Sequence, residues 1–239
     1  SSLIRQALAT SRGIRAITVD LLEIKGIDEL CKEMIRAIVA MEKHGSFLEK
    51  TVKLLSGFRP AVAYEAVTNS WSVSVSPATR FDYASIGELM DVVEELGRRG
   101  KLVVVFDEFQ DILKIREHGR ALAILRSKVQ HHGGIAYLFA GSIRSGMERI
   151  FTDPESPFLK SAVAMEVGPL DEAAFSAFLR RKFALGKRAV TDEALERVFT
   201  IAAGNPGDVQ QMCRALWDVS AYRERLDVQH VPGALEVIF

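Results

Sequence analysis

Lys101-Leu-Val-Val-Val-Phe-Asp-Glu-Phe-Gln110 decides how this chain is read. Residues 102–106 are uninterrupted apolar, the pattern of a strand buried on both faces rather than the alternation of a half-exposed one. Two carboxylates, Asp107 and Glu108, follow at the strand's C-terminal end. In open α/β sheets ligands bind at that edge. Mg²⁺ is usually held there by one or two carboxylates plus substrate phosphates, and a second carboxylate can polarise an attacking water. A strand that ends in a polar turn gives the same residues, so the rest of the chain has to arbitrate.

Strands and helices alternate on either side. Residues 3–10 read as a helix with Leu3, Ile4, Ala7 and Leu8 on one face, and 14–24 as a strand around Ile17-Thr18-Val19. A helix over 27–43 carries Leu30, Met34, Ile35, Ile38 and Met41 on one stripe, with Asp28 and Glu29 in the first turn, where the helix dipole favours them. A shorter helix, 47–55, is stopped by Pro60. Residues 61–77 alternate around Thr68-Asn69-Ser70, which predicts a hairpin. Ser85 is expected to cap a helix over 86–98 that Gly100 ends. Beyond the opening run come a helix over 119–130, a Gly133-Gly134 turn and a strand over 135–140 closed by Gly141-Ser142. A short helix over 147–151 and a last strand over 161–167 follow.

From Pro169 the character changes. Residues 171–184, 191–203 and 206–221 read as helices, the first two capped by Asp171 and Thr191, with no strand among them. The expected division is an α/β core over 1–168 and a helical region over 169–239. A further helix over 231–239 suggests the start of another C-terminal domain.

The chain has 239 residues, 48% hydrophobic and 26% charged, ordinary values for a globular protein with a sizeable core. Lys plus Arg equals Asp plus Glu at 31 each, so no global charge draws it to nucleic acid or an anionic membrane. No run approaches the ~18 apolar residues of a membrane span. Cys31 and Cys213 sit in apolar helical contexts and suit a reducing cytoplasm better than a disulfide framework.

Parallel strands joined by a crossover helix place their ends side by side. Ser142 would then lie near Asp107 and Glu108, able to bond a γ-phosphate or the attacking water; alone, Gly141-Ser142 reads better as a turn. Together with the quoted run, the residues 107–112 (Asp-Glu-Phe-Gln-Asp-Ile) resemble the Walker B segment of AAA-type P-loop ATPases of archaea and bacteria, related to STAND and origin-recognition ATPases. Gly141-Ser142 and 147–151 resemble that family's sensor 1 strand and helix, and 156–162 its segment before the last strand. Gly204-Asn205-Pro206, with Gln210, Cys213, Leu216 and Trp217, resemble its helical lid, and the hairpin an insertion of bacterial members.

The resemblance implies an α/β parallel-sheet P-loop NTPase core of AAA type with a C-terminal all-helical lid, ATP and Mg²⁺ as cofactors, and nucleotide seated between core and lid. Asp107 would hold Mg²⁺, Glu108 would orient water and Ser142 would report on the γ-phosphate. The family's phosphate loop ends in Gly-Lys-Thr/Ser. This chain opens Ser1-Ser2-Leu3, which resembles the end of that loop, with Ser1 in the Mg²⁺-binding position and Ser2 beside it. The glycines, the lysine and the central strand before them are expected to be missing from the chain as given, which is then expected to be inactive. Lys160 stands where relatives often carry an arginine acting on a neighbour's nucleotide; lysine keeps the charge without the bidentate fork. Arg144 is a rival for that role. In the lid, Asn205-Pro206 is followed by Gly207 and Asp208, where origin-recognition relatives often have a γ-phosphate-sensing arginine.

Other features read as bland. Arg180-Arg181-Lys182 and Lys187-Arg188 read as a solvated face with DNA contact kept open. His131-His132 read as a helix cap rather than a metal site. Trp71 could face a partner or pack on the sheet. The expectation is an ATP-binding, ATP-hydrolysing domain of a larger cytoplasmic assembly, with a protein partner or self-association and no membrane. A non-hydrolysing nucleotide switch that scaffolds signalling or defence, and a DNA-associated ATPase module, are the alternatives.

Overall fold

The computed structural model describes residues 2–41, 45–65, 70–75, 79–168 and 171–238. The chain forms two compact units, Ser1–Val163 and Ala164–Phe239. In the first unit the elements run α1 (Ser2–Thr10), β1 (Arg15–Asp20), α2 (Ile27–Ala40), α3 (Gly45–Leu54), β2 (Pro60–Glu65), β3 (Ser70–Val75), α4 (Tyr83–Gly97), β4 (Leu102–Asp107), α5 (His118–Val129), β5 (Ile135–Phe139) and α6 (Arg144–Phe151).

β4 is the interior strand of a sheet ordered β1-β4-β5, parallel to both neighbours. That position explains its apolar run. Leu102, Val104 and Phe106 join Ile17 and Val19 of β1 in one core, while Val105 is buried on the opposite side. Among the described residues β1 pairs with β4 alone, and its two faces differ: Ile17 and Val19 are buried, Thr18 and Asp20 exposed. The core is closed by Leu30, Met34, Ile35 and Ile38 of α2 and by Ile86, Leu89, Met90 and Val93 of α4. Both stripes follow the helical period.

Helix α4 starts earlier than its expected cap. Asp82 is the N-cap, its carboxylate accepting the Ser85 N–H at 3.0 Å, and Ser85 Oγ accepts the Asp82 N–H at 3.2 Å. Ser85 is thus the reciprocal partner of a capping box, not the cap. The hairpin forms as expected, antiparallel with Val62 opposite Val73 and Tyr64 opposite Trp71. Its turn residues Thr68 and Asn69 lie outside the described residues.

The last strand expected over 161–167 does not form. These residues are irregular, and Val163, Met165 and Val167 are 97%, 86% and 73% exposed. A strand needs a ladder to join. Among the described residues no strand lies beyond β5, whose Leu138 is 42% exposed, so residues 161–167 have none.

The second unit contains α7 (Glu172–Leu185), β6 (Ala189–Val190), α8 (Asp192–Ile201), α9 (Pro206–Val219), β7 (Arg225–Leu226) and α10 (His230–Ile238). Asp171 caps α7 and Thr191 caps α8, each accepting a backbone N–H three residues on. Phe175, Leu179, Phe183, Leu195, Val198, Met212 and Leu216 form its core. A two-residue parallel pairing of β6 with β7 adds to the helices; two residues carry no period that a sequence reading can detect.

Candidate functional site

Asp107 ends β4, and its partners at that edge are set by the ladder. The register places it opposite Asp20 of β1, and Leu21 N–H donates to the Asp107 carbonyl at 3.0 Å. On the other side the Ala140 N–H donates to the Phe106 carbonyl at 2.9 Å, and the Phe109 N–H to the Ala140 carbonyl at 2.8 Å. The carboxyl edge of the sheet therefore gathers Asp20, Asp107, Glu108 and the segment from Ala140 to Ser142. Asp107 is partly exposed, and its Oδ1 accepts the Glu108 N–H at 3.2 Å, which leaves acceptor capacity for water or a cation.

Glu108 turns the chain. Its φ of 51° and ψ of 42° lie in the left-handed region, uncommon for a residue with a long side chain, and a 3₁₀ helix over Phe109–Lys114 follows. That short helix is pinned by Phe109, fully buried among Phe106, Phe139, Phe151 and Phe158 at ring-centroid distances of 4.6 to 6.1 Å. Glu108 Oε2 accepts from Ser142 Oγ at 2.7 Å and from Gln110 Nε2 at 2.6 Å. Hydrogen bonds from Gln110 first and Ser142 second outweigh the modest burial and hold the Glu108 carboxyl below its ordinary value. Glu108 is therefore an anion at neutral pH, suited to accepting a hydrogen bond from water.

The structure thus brings Asp107, Glu108 and Ser142 together. Ser2 opens α1 with an exposed side chain, and no hydrogen bond among the described residues links it to them; Ser1 lies outside the described residues. Arg144 begins α6, 79% exposed, its Nε donating to Glu148 Oε1 at 2.9 Å. Lys160 is exposed, with a left-handed φ of 52°, and its N–H donates to the Phe151 carbonyl. In the second unit Asn205 caps α9, its Oδ1 accepting the Gly207 N–H at 2.9 Å, with Pro206 in the first turn.

Two residues beside the site had no role in the sequence reading. Gln110 binds Glu108 directly. Asp111, 2% exposed, accepts the Glu23 N–H at 2.7 Å and Lys114 Nζ at 2.8 Å, tying the turn after β1 to the segment after β4. Both belong to the quoted motif, but which side of a 3₁₀ turn faces inward has no sequence period. The cleft beside the turn after β1 is lined by Asp20, Glu23, Glu29 and Glu33, a sign of charge that repels phosphate.

His131 Nδ1 bonds the Ser127 carbonyl of the last turn of α5, a helix cap, whereas His132 turns inward onto Tyr137 Oη at 2.6 Å. Asp91, Glu94 and His132 bring ligand atoms within 4.8 Å of one another, but Lys128 pairs with Asp91 and Arg98 with Glu94, which makes an ion-pair network. In the basic cluster Arg180 pairs with Asp192, Lys182 lies over Phe178, and Arg188 stacks on Trp217 at 4.3 Å while donating to Ser220. Burial pushes both thiols up to about 12, for Cys31 with help from nearby carboxylates, so neither is reactive. No helix among the described residues is long and apolar enough to cross a membrane.

No family model matches this sequence, and no curated protein matches it. Solved structures do. A Walker-type ATPase of Pyrococcus abyssi superposes with a TM-score of 0.63 at 22% identity, over 99% of this chain and 63% of that one. The ORC1 protein of Aeropyrum pernix, solved in complex with DNA, superposes with a TM-score of 0.59 at 13% identity, over 99% and 53%. This chain spans less than two thirds of the length of either. At these identities the likeness is one of fold: a parallel sheet flanked by helices and followed by a helical region, shared with both structures.

Proposed function

We propose that this chain is the core and helical region of an ATP-binding AAA-type domain that hydrolyses ATP to drive or time a conformational change in a larger assembly. The observation that carries the reading is Glu108: a carboxylate at the carboxyl end of an interior parallel strand, accepting a hydrogen bond from a hydroxyl in the turn after the next strand. The donor set suits Mg²⁺ and a polyphosphate. Asp107 and Glu108 are hard oxygen ligands at the ligand-binding edge, and Mg²⁺ takes few protein ligands beside phosphate oxygens. Bound Mg·ATP supplies the phosphoanhydride and a divalent charge that screens it.

The chain's own residues do the rest. Asp107 holds the metal, directly or through water. Glu108, kept anionic, accepts a hydrogen bond from the attacking water and fixes its direction. Ser142 keeps Glu108 in place and senses the γ-phosphate. Ser1 and Ser2 as loop hydroxyls, Asn205 and Pro206 as lid contacts, and Arg144 or Lys160 as the cation acting on a neighbouring copy's nucleotide belong to the same proposal. So does a cytoplasmic setting, which two free buried thiols suit. DNA contact draws little support, because most of the basic cluster is engaged within its own unit.

The test is calorimetric titration of ATP into the natural full-length protein, with and without Mg²⁺, beside Asp107→Ala. The proposal expects Mg²⁺ to tighten binding in the parent and not in the variant. Equal Mg²⁺ dependence in both would remove Asp107 from the site.

A further inference from the structure

Gln110 is built into the fold more tightly than a surface amide needs to be. It is 6% exposed, two residues after Glu108, on the 3₁₀ turn that Phe109 anchors. Two glycines make room for it. A Cβ at Gly141 would stand 2.3 Å from Gln110 Oε1, and a Cβ at Gly146 would stand 2.6 Å from Gln110 Cβ. Neither glycine has a positive φ, so what the missing side chains provide is space for Gln110, not backbone freedom.

The amide's orientation is also determined. Nε2 donates to Glu108 Oε2, while Oε1 is buried without a hydrogen-bond partner among the described residues. Exchanging the two atoms would set the amide oxygen against the carboxylate, acceptor against acceptor. The NH₂ is therefore the end of the amide that faces Glu108.

We propose that Gln110 is a positioning residue: with Ser142 it clamps one carboxylate oxygen of Glu108, so that the remaining acceptor capacity points at a water in one fixed direction. A carboxylate offers about four acceptor sites. The two donors crowd onto Oε2, and the water meets an acceptor that cannot swing. The inference rests on the reading of Glu108 as the residue that orients water, and it deepens that reading.

The test uses Gln110→Leu, which keeps the volume and removes the donor, and Gln110→Glu, which keeps the shape and places a second carboxylate against the first. Both are made in the natural full-length protein, with thermal unfolding to confirm that each folds. The Glu108 carboxyl is followed by carbon NMR titration without nucleotide, and ATP turnover is measured against pH. Glu108 is expected to titrate higher in Gln110→Leu than in the parent, and higher again in Gln110→Glu. Turnover in Gln110→Leu is expected to fall about 10- to 100-fold with little change in KM, the scale of a catalytic group set free to swing. In Gln110→Glu the acid limb of the pH profile is expected to move up. An unmoved titration in both variants overturns the clamp, and a moved titration with unchanged turnover overturns its role in positioning. If Glu108→Gln leaves turnover intact while the titrations still move, the contact stands and it is the ATPase reading that fails.

Discussion

Replacing Asp111 by alanine tests whether the site's two flanking segments are held by one carboxylate. Asp111 Oδ2 takes the backbone N–H of Glu23 at 2.7 Å, across 88 residues of sequence, and Lys114 Nζ at 2.8 Å. The acceptor is charged and its side chain is 3% exposed, so the bond to Glu23 falls in the range of about 1.5–3 kcal/mol for bonds to charged groups. Lys114 is 51% exposed and returns to water, so the ion pair adds at most about 1 kcal/mol. Glu23 itself holds a left-handed φ of 60°, uncommon for a residue with a long side chain. Asp111→Ala should therefore cost about 2–3 kcal/mol, while Asp111→Asn, which keeps an oxygen for Glu23, should cost about 1 kcal/mol. With a urea slope of about 2 kcal/mol per molar, the alanine variant should unfold about 1 M earlier. Equilibrium urea unfolding followed by circular dichroism measures both, and amide exchange at Glu23 localises the effect. The reasoning is refuted if alanine and asparagine cost the same, or if alanine leaves the midpoint where it was.

Gly141→Ala drives a methyl into Gln110 Oε1 and Met147 Sδ, both ends of side chains that can move. It should cost about 1–2 kcal/mol and raise the Glu108 titration as Gln110 is pushed off, and a stable variant with an unmoved Glu108 would contradict the packing. Gly186→Ala is harsher, because its Cβ would meet the rigid Trp217 ring at 1.7 Å beneath the stacked Arg188; a loss of about 3 kcal/mol in urea unfolding is expected, and a neutral result would disprove that contact. His230 contributes a pH dependence. Burial lowers its pKa, but hydrogen bonds to Asp227 and Glu224 win and raise it above the ordinary 6.5. That stability is fully present below the unfolded value and is lost as pH rises through the folded one. The urea midpoint of the second unit should fall between pH 6 and 8 in the parent by more than in His230→Gln, and equal slopes would exclude the histidine.

The quoted run made the interior strand legible because burial on both faces leaves an apolar sequence without alternation, and Asp107 and Glu108 close it. Ser142 was legible through topology, since parallel strands with a crossover helix must bring their ends together. Residues 161–167 alternate around Val163, Met165 and Val167 as a strand would, but a strand is a relation between two segments, and among the described residues no strand lies on the other side of β5 from β4. Ser85 looked like the cap because serine is a good one; Asp82, three residues earlier, takes the position and makes Ser85 its partner. Gln110 and Asp111 were in plain view and unassigned. Their roles depend on how Glu108's left-handed turn aims a short 3₁₀ helix, which no sequence period records.

The central claim is that Glu108 acts on water rather than on binding. Single-turnover hydrolysis of ATP by the natural full-length protein, parent against Glu108→Gln at saturating Mg²⁺, tests it most directly. A carboxylate that orients water stabilises the transition state more than the bound ground state. The account predicts that the glutamine variant retains ATP with near-parent affinity and leaves it uncleaved. Hydrolysis at the parental rate by Glu108→Gln would contradict it.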